Sequence, residues 1–113
     1  MSEKVYTIEE IKEMIYDILK KYGIEKAYIF GSYARGEANQ QSDVDIMIKK
    51  GNLKTLLQLS ALAYEIEQIL KKQIDIVIEE TYTDDINYDS ETIKLAKNIF
   101  YNEVKKERLN IYE

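Results

Sequence analysis

Hydrophobic residues recur at helical spacing in three long stretches of the chain. The first covers residues 8–22. Thr7 and Glu10 at its beginning have the spacing of a capping box and predict a helix start. The second stretch predicts a long helix that Asn52 caps and that ends near Lys71. Both helices carry a single apolar stripe, so each is expected to pack one face against a core.

The third helical stretch lies near the C-terminus, and Ser90 or Asp89 can cap it. Its inward-facing residues are expected to be Ile93, Ala96, Ile99, Phe100 and Val104. Residues 81–89 ahead of it are polar and acidic, which predicts an exposed loop. Residues 105–113 are rich in charge and are expected to continue the helix or to fray.

Three short segments have the pattern of strands. Residues 27–30 form an apolar run that ends at Gly31, which predicts a buried strand. Residues 43–49 alternate between two faces, and we expect one of these faces to lie on the core. The apolar face holds Val44, Ile46 and Ile48, and the opposite face holds Asp43, Asp45 and Met47. Residues 73–79 alternate in the same way and place Asp75 opposite the apolar face.

The predicted order of elements is α-β-β-α-β-α. This order indicates an α+β domain, α/β-like in its alternation, with helices packed on a small mixed sheet. The 113-residue chain has the length of one ordinary domain, and no linker or repeat divides residues 1–113. We find no signal peptide and no apolar stretch long enough to cross a membrane, so a cytoplasmic protein is expected.

Composition narrows the chemistry that the chain can perform. The net charge of −5 argues against direct binding of nucleic acid, because binding to its backbone needs a basic face. The sequence has no histidine and no cysteine, which excludes a Ser-His-Asp triad, thiolate metal sites and disulfides. Catalysis would therefore have to use carboxylates, lysine, tyrosine, hydroxyl groups or a bound metal ion.

The three aspartates opposite the apolar strand faces are the strongest candidates for such chemistry. Asp43 and Asp45 share a face of one strand, and Asp75 can join them if the two strands are neighbours. Three unpaired carboxylates would repel one another, and a hard divalent cation between them would remove that repulsion. Oxygen ligands of this kind suit Mg²⁺ or Mn²⁺, and two such ions can drive in-line displacement at phosphorus.

A glycine-serine pair precedes the first of these aspartates, and ten residues separate the pair from it. Gly31 allows the backbone to approach a phosphate, and the hydroxyl group of Ser32 and nearby N–H groups can donate to it. Arg35 lies one helical turn later, where its guanidinium could reach a triphosphate. Each feature alone has an ordinary explanation, as a turn, a cap or a surface charge. Their joint spacing is what indicates a nucleotide site.

This arrangement resembles the DNA polymerase beta–like nucleotidyltransferase superfamily, whose mark is Gly-Ser, about ten residues, and Asp-x-Asp. The stretch FGSYARGEANQQSDVDIMI is most similar to the minimal nucleotidyltransferase (MNT) branch, with its Gly-Ser-x-Ala-Arg-Gly and Ser-Asp-x-Asp patterns. The resemblance covers nearly the whole chain. It implies the polymerase beta-like fold and a single minimal nucleotidyltransferase domain over residues 1–113.

The resemblance also implies roles for individual residues. Asp43 and Asp45 would bind both of two Mg²⁺ ions, and Asp75 would bind the catalytic ion and help to deprotonate the acceptor. The residues that would contact ATP are Gly31, Ser32, Arg35 and Ser42.

Proteins of this branch are typically antitoxins of HEPN/MNT modules, which add AMP to a tyrosine of the HEPN toxin. The resemblance therefore implies ATP as substrate and a hetero-oligomer with a HEPN-type partner. Two alternatives stay open from the sequence. The acceptor could be a small molecule or RNA, or the chain could neutralise its partner by binding alone.

Overall fold

The computed structural model describes residues 4–83 and 90–113, and four strands within these ranges form one sheet. The strands are β1 (Lys26–Phe30), β2 (Val44–Lys49), β3 (Ile74–Ile78) and β4 (Leu109–Tyr112). The helices are α1 (Ile8–Lys21), α2 (Ser32–Arg35), α3 (Leu56–Leu70), α4 (Glu80–Thr83) and α5 (Glu91–Glu107). None of these helices has the length and apolar composition that a membrane crossing requires.

The sheet is mixed, with the strand order β3-β2-β1-β4. β1 pairs with β2 and with β4 in antiparallel orientation, whereas β2 and β3 are parallel. Parallel neighbours need a long crossover, and α3 supplies it between β2 and β3. The predicted α+β class with a small mixed sheet is therefore confirmed.

The main core lies between one face of this sheet and the pair of helices α1 and α3. Val44, Ile46 and Ile48 of β2 are fully buried there, as the alternation of the sequence predicts. The helices contribute the fully buried side chains of Ile11, Ile15, Leu19, Leu62, Ile66 and Leu70. Burying a side chain of this size contributes about 2 kcal/mol, so this layer is the main source of stability.

Helix starts were partly predictable from the sequence. The capping box of Thr7 and Glu10 is present at the start of α1. The predicted cap of α3 by Asn52 is wrong, because Thr55 and Gln58 form a second capping box three residues later. Asn52 instead donates its backbone N–H to the carbonyl oxygen of Gly23, at 3.0 Å.

The sheet is also covered on its second face, which the alternation did not predict. Met47 is fully buried and packs with Phe30 of β1 and Val104 of α5. β2 is thus buried on both faces in its middle, and the expectation of one core face is wrong there. The two ends of the strand, at Asp45 and Lys49, keep half-buried polar residues on the second face.

α5 begins at the cap Ser90, whose hydroxyl oxygen accepts from two backbone N–H groups. Of its predicted inward residues, Val104 alone is buried, at 2% exposure. The prediction is wrong for Ile93, Ala96, Ile99 and Phe100, which are exposed. The reason is that α5 packs on the sheet through its C-terminal half, where Tyr101 and Val104 meet the second cluster.

The predicted exposed loop 81–89 also differs from the structure. Residues Glu80–Thr83 form the short helix α4, and Tyr82 is half-buried against the second cluster. The rest of that predicted loop, with the alternative cap Asp89, lies outside the described residues.

The C-terminal segment continues the helix, as predicted, only over residues 105–107. α5 ends at Glu107, and the rest does not fray, because β4 pairs with β1. Ile111 is 1% exposed and belongs to the main core, which explains why this charged segment folds as a strand.

Replacing Ile111 with alanine is therefore expected to lower the free energy of unfolding by about 2–4 kcal/mol, through lost burial and a cavity. Leu109→Ala is the matched control in the same strand, because Leu109 is 41% exposed, and it should cost less than about 1 kcal/mol. Urea denaturation measures both. Equal losses of the free energy of unfolding in the two variants would contradict the burial of Ile111 in the main core.

Candidate active site

Two of the predicted aspartates lie side by side at the beginning of the parallel strands. Asp45 of β2 and Asp75 of β3 are in register, so their side chains project from the same face of the sheet. Asp45 is half-buried and Asp75 is exposed. Asp43, also exposed, lies one residue before β2. The condition set by the sequence, that the two strands be neighbours, is met.

The electrostatics of Asp45 show how closely these groups interact. The pKa of the Asp45 carboxyl group is raised to about 6. Burial is the largest cause, followed by the negative charges of Asp75 and then Asp43. The guanidinium of Arg35 acts in the opposite direction and only partly offsets these effects. Asp45 is therefore a carboxylate whose ionised form would be stabilised by an added cation.

Gly31 is the first residue after β1, and it lies directly beside the side chain of Asp45. Its backbone has φ 73° and ψ −152°, a region that is almost exclusive to glycine. A Cβ atom at this position would collide with Oδ2 of Asp45 and lie 3.0 Å from its Cγ. Two features therefore require glycine at position 31: the backbone conformation and the closeness of the Asp45 carboxylate.

The backbone N–H of Gly31 and the side chain of Arg35 meet at a single anion. The N–H donates to Oε1 of Glu107 at 3.0 Å, and Nη1 of Arg35 donates to Oε2 of the same carboxylate at 3.0 Å. Arg35 also pairs with Glu37, at 2.6 Å. Gly31 and Arg35, which were predicted separately as phosphate ligands, therefore form one subsite that already holds a carboxylate.

No pattern in the sequence predicts Glu107 in this place. It lies in the charged segment 105–113, which is expected to continue the helix or to fray, 76 positions after Gly31. No local pattern connects the two residues, because the fold of α5 over the second face of the sheet brings them together.

The two predicted serines differ in their surroundings. Ser32 is the first residue of α2, which has only four residues. The hydroxyl oxygen of Ser42 accepts from the N–H of Asn39 at 2.9 Å and so closes the turn that precedes Asp43. The buried Lys72 fastens the same loop by donating to the carbonyl oxygen of Gln40 at 3.2 Å. The interactions of Ser42 in this structure position the loop.

Within residues 4–83 and 90–113, no three acidic side chains are gathered closely enough to chelate a metal ion as they stand. The predicted convergence is thus complete for Asp45 and Asp75, whereas Asp43 acts on Asp45 only through its charge. The donor set still fits a hard divalent cation, since it consists of carboxylate oxygens and since Asp45 is half-buried beside two other negative charges.

Comparison with known proteins places this geometry in context. The model of the family described as polymerase beta, nucleotidyltransferase, matches residues 13–105. A protein of Methanocaldococcus jannaschii, whose name assigns it protein adenylyltransferase activity, is 49% identical over 70 residues, which are 62% of this chain and 75% of that protein.

Solved structures show the same fold. A structure described as a minimal nucleotidyltransferase has a TM-score of 0.65 at 25% identity and covers 96% of this chain and 95% of its own. A chain from the Shewanella oneidensis complex of a tri-AMPylated HEPN toxin with an MNT antitoxin has a TM-score of 0.58 at 16% identity. That match covers 93% of this chain and 71% of the other, and at this identity it shows the fold alone.

The family match, residues 13–105, contains the glycine turn and the paired aspartates. The expectation of a nucleotidyltransferase is confirmed, and the chain belongs to the polymerase beta nucleotidyltransferase family.

Proposed function

We propose that this protein transfers AMP from ATP to a tyrosine hydroxyl of a HEPN-type toxin partner, in a reaction that needs Mg²⁺. The observation that carries the proposal is the pairing of Asp45 with Asp75 beside Gly31. Two carboxylates and a backbone N–H that binds an anion support attack at the α-phosphorus of ATP, which breaks a phosphoanhydride bond and requires neutralisation of negative charge.

The chain's own residues would act as follows. Asp43 and Asp45 would hold two Mg²⁺ ions, and Asp75 would hold the catalytic one. When bound, Mg²⁺ supplies neutralisation of the triphosphate charge. Gly31 would donate its N–H to a phosphate oxygen, with its neighbour Ser32 donating its hydroxyl group. Arg35 would pair with the same phosphates.

Asp75 would receive the acceptor proton, the role that the family resemblance implies for it. It is exposed, so an acceptor on another molecule can reach it, whereas Asp45 is half-buried. A carboxylate within hydrogen-bond reach of the tyrosine hydroxyl would accept its proton as the oxygen attacks the α-phosphorus. The bond from the α-phosphorus to the bridging oxygen breaks, and pyrophosphate leaves.

Two findings support a protein as the acceptor and a toxin as the partner. The relative from Methanocaldococcus jannaschii is named for transfer of adenylyl groups to protein. The Shewanella oneidensis complex with the same fold contains a HEPN toxin that carries three AMP groups. For this chain we expect a complex with a HEPN-type protein encoded by a neighbouring gene.

Incubation of the protein with that partner, ATP and Mg²⁺ is expected to increase the partner's intact mass by one or more AMP groups. Fragmentation should place them on tyrosine. An Asp43→Asn/Asp45→Asn double variant is the control and should leave the partner unmodified. Equal modification by the double variant would contradict the mechanism, and modification of added RNA or a small molecule in place of the partner would favour a different acceptor.

A further inference from the structure

The anion subsite of Gly31 and Arg35 is filled by the protein itself. Both carboxylate oxygens of Glu107 are used, one by the N–H of Gly31 and the other by Arg35, each at 3.0 Å. The Glu107 side chain is 24% exposed, so it lies in the site and does not extend into solvent.

The end of α5 is anchored in a way that fixes the position of this carboxylate. The next residue, Arg108, pairs with the buried Glu79 at 2.7 Å and lies 3.9 Å above the ring of Tyr28. Its backbone N–H closes the helix on the carbonyl oxygen of Val104. Because Arg108 is fixed by its contacts with Glu79 and Tyr28, the position of the neighbouring Glu107 beside the subsite is fixed as well.

Glu107 lies close enough to Asp45 for its negative charge to act on that carboxyl group, in addition to burial and the charges of Asp75 and Asp43. A carboxylate so close to a cluster of like charges is retained only if its own partners compensate, and Gly31 and Arg35 are those partners. The carboxylate of Glu107 is therefore stabilised by the same two groups that would bind a phosphate, the N–H of Gly31 and the guanidinium of Arg35.

We propose that Glu107 is an internal competitor of the nucleotide, which occupies the anion subsite of Gly31 and Arg35 in the free protein and leaves it when a triphosphate binds. This inference rests on the proposed function, because it takes a polyphosphate as the ligand of that subsite. It assigns to Glu107 control of nucleotide affinity, through a contact that must break before the phosphates can enter.

Glu107→Gln is expected to increase the affinity for ATP with Mg²⁺, and for inorganic tripolyphosphate, by about fivefold. Glutamine keeps the shape of the side chain but removes the charge that holds Arg35 and repels phosphate. Glu103→Gln is the matched control, since it removes one charge from the same helix at a side chain that is 69% exposed and paired only with Lys106 in the described structure. It should leave both affinities unchanged. Isothermal titration calorimetry measures them, and thermal unfolding checks that the variants are folded.

A second comparison separates competition from a general charge effect. In an Arg35→Gln background the gain from Glu107→Gln should shrink, because one of the two contacts that the competitor uses is already gone. If Glu107→Gln binds tripolyphosphate as wild type does, or more weakly, the competitor role is wrong. If no variant binds ATP while Glu107→Gln still binds tripolyphosphate more tightly, the proposed function fails and the competitor role stands.

Discussion

Asp45→Asn is expected to lower the rate of AMP transfer by about a thousandfold while making the free protein more stable. The loss of rate follows from the removal of one charged ligand, since each factor of ten corresponds to about 1.4 kcal/mol and a catalytic metal ion supplies several kcal/mol. Asparagine has the shape of aspartate, so the close contact with Gly31 is kept.

The gain in stability has a separate cause. Burial and the charges of Asp75 and Asp43 raise the pKa of Asp45 to about 6, which means that the fold disfavours its ionised form. At neutral pH this group is mostly ionised, so replacing it with a neutral amide should increase the free energy of unfolding. We expect about 1 kcal/mol, after allowance for partial exposure.

The measurements are initial transfer rates and urea denaturation without metal. Asp17→Asn is the control, because Asp17 is an exposed aspartate of α1, which packs on the face of the sheet opposite to Asp45, and it should change neither quantity. A destabilised Asp45→Asn variant would show that Asp45 has a structural role, and a rate near that of wild type would remove it from the mechanism.

Gly31→Ala is expected to reduce the rate of AMP transfer strongly and to lower the free energy of unfolding by about 2–4 kcal/mol. The new methyl group would collide with the Asp45 carboxylate, and the backbone would be held at φ 73° and ψ −152°. Both effects act on the same point of the candidate site, so activity and stability should fall together.

Gly36→Ala is the control for a glycine of positive φ without a collision. Gly36 has φ 74° and ψ 22°, a left-handed conformation that other residues adopt at less cost than the conformation of Gly31, and a Cβ there would meet no atom within 4 Å. It should therefore cost only the backbone term, about 1 kcal/mol, and leave transfer largely intact. Removing the colliding carboxylate in a Gly31→Ala/Asp45→Ala variant should recover part of the lost stability. Equal losses in the two glycine variants would show that the contact with Asp45 is unimportant.

Much of this site was predictable because it depends on local patterns. Strand alternation places Asp45 and Asp75 opposite the apolar residues of their strands. The sequence analysis leaves open whether the two strands are neighbours, and the structure shows that they are parallel neighbours with both aspartates in register. The glycine at position 31 was also predictable as a point of close backbone approach. Its actual neighbour in this structure is the Asp45 carboxylate, which no phosphate-binding pattern would indicate.

The unpredicted parts depend on contacts between distant segments. Residues 105–113 are dominated by charge, and the single buried Ile111 cannot by itself indicate a strand. The apolar residues of α5 have the spacing of a core helix, yet only Val104 is buried, because hydrophobic periodicity does not show how much of a helix meets its sheet. Glu107 was missed for the same reason, since its partners are given by tertiary structure alone.

We propose that this protein transfers the adenylyl group of ATP to a partner protein. The decisive measurement is a pair of parallel reactions with ATP labelled at the α-phosphate or at the γ-phosphate, together with the HEPN-type partner and Mg²⁺. We expect label from the α-phosphate alone to become attached to the partner, about a thousandfold more slowly with Asp45→Asn. Attachment of label from the γ-phosphate, or of α-label at the same rate with Asp45→Asn, would contradict it.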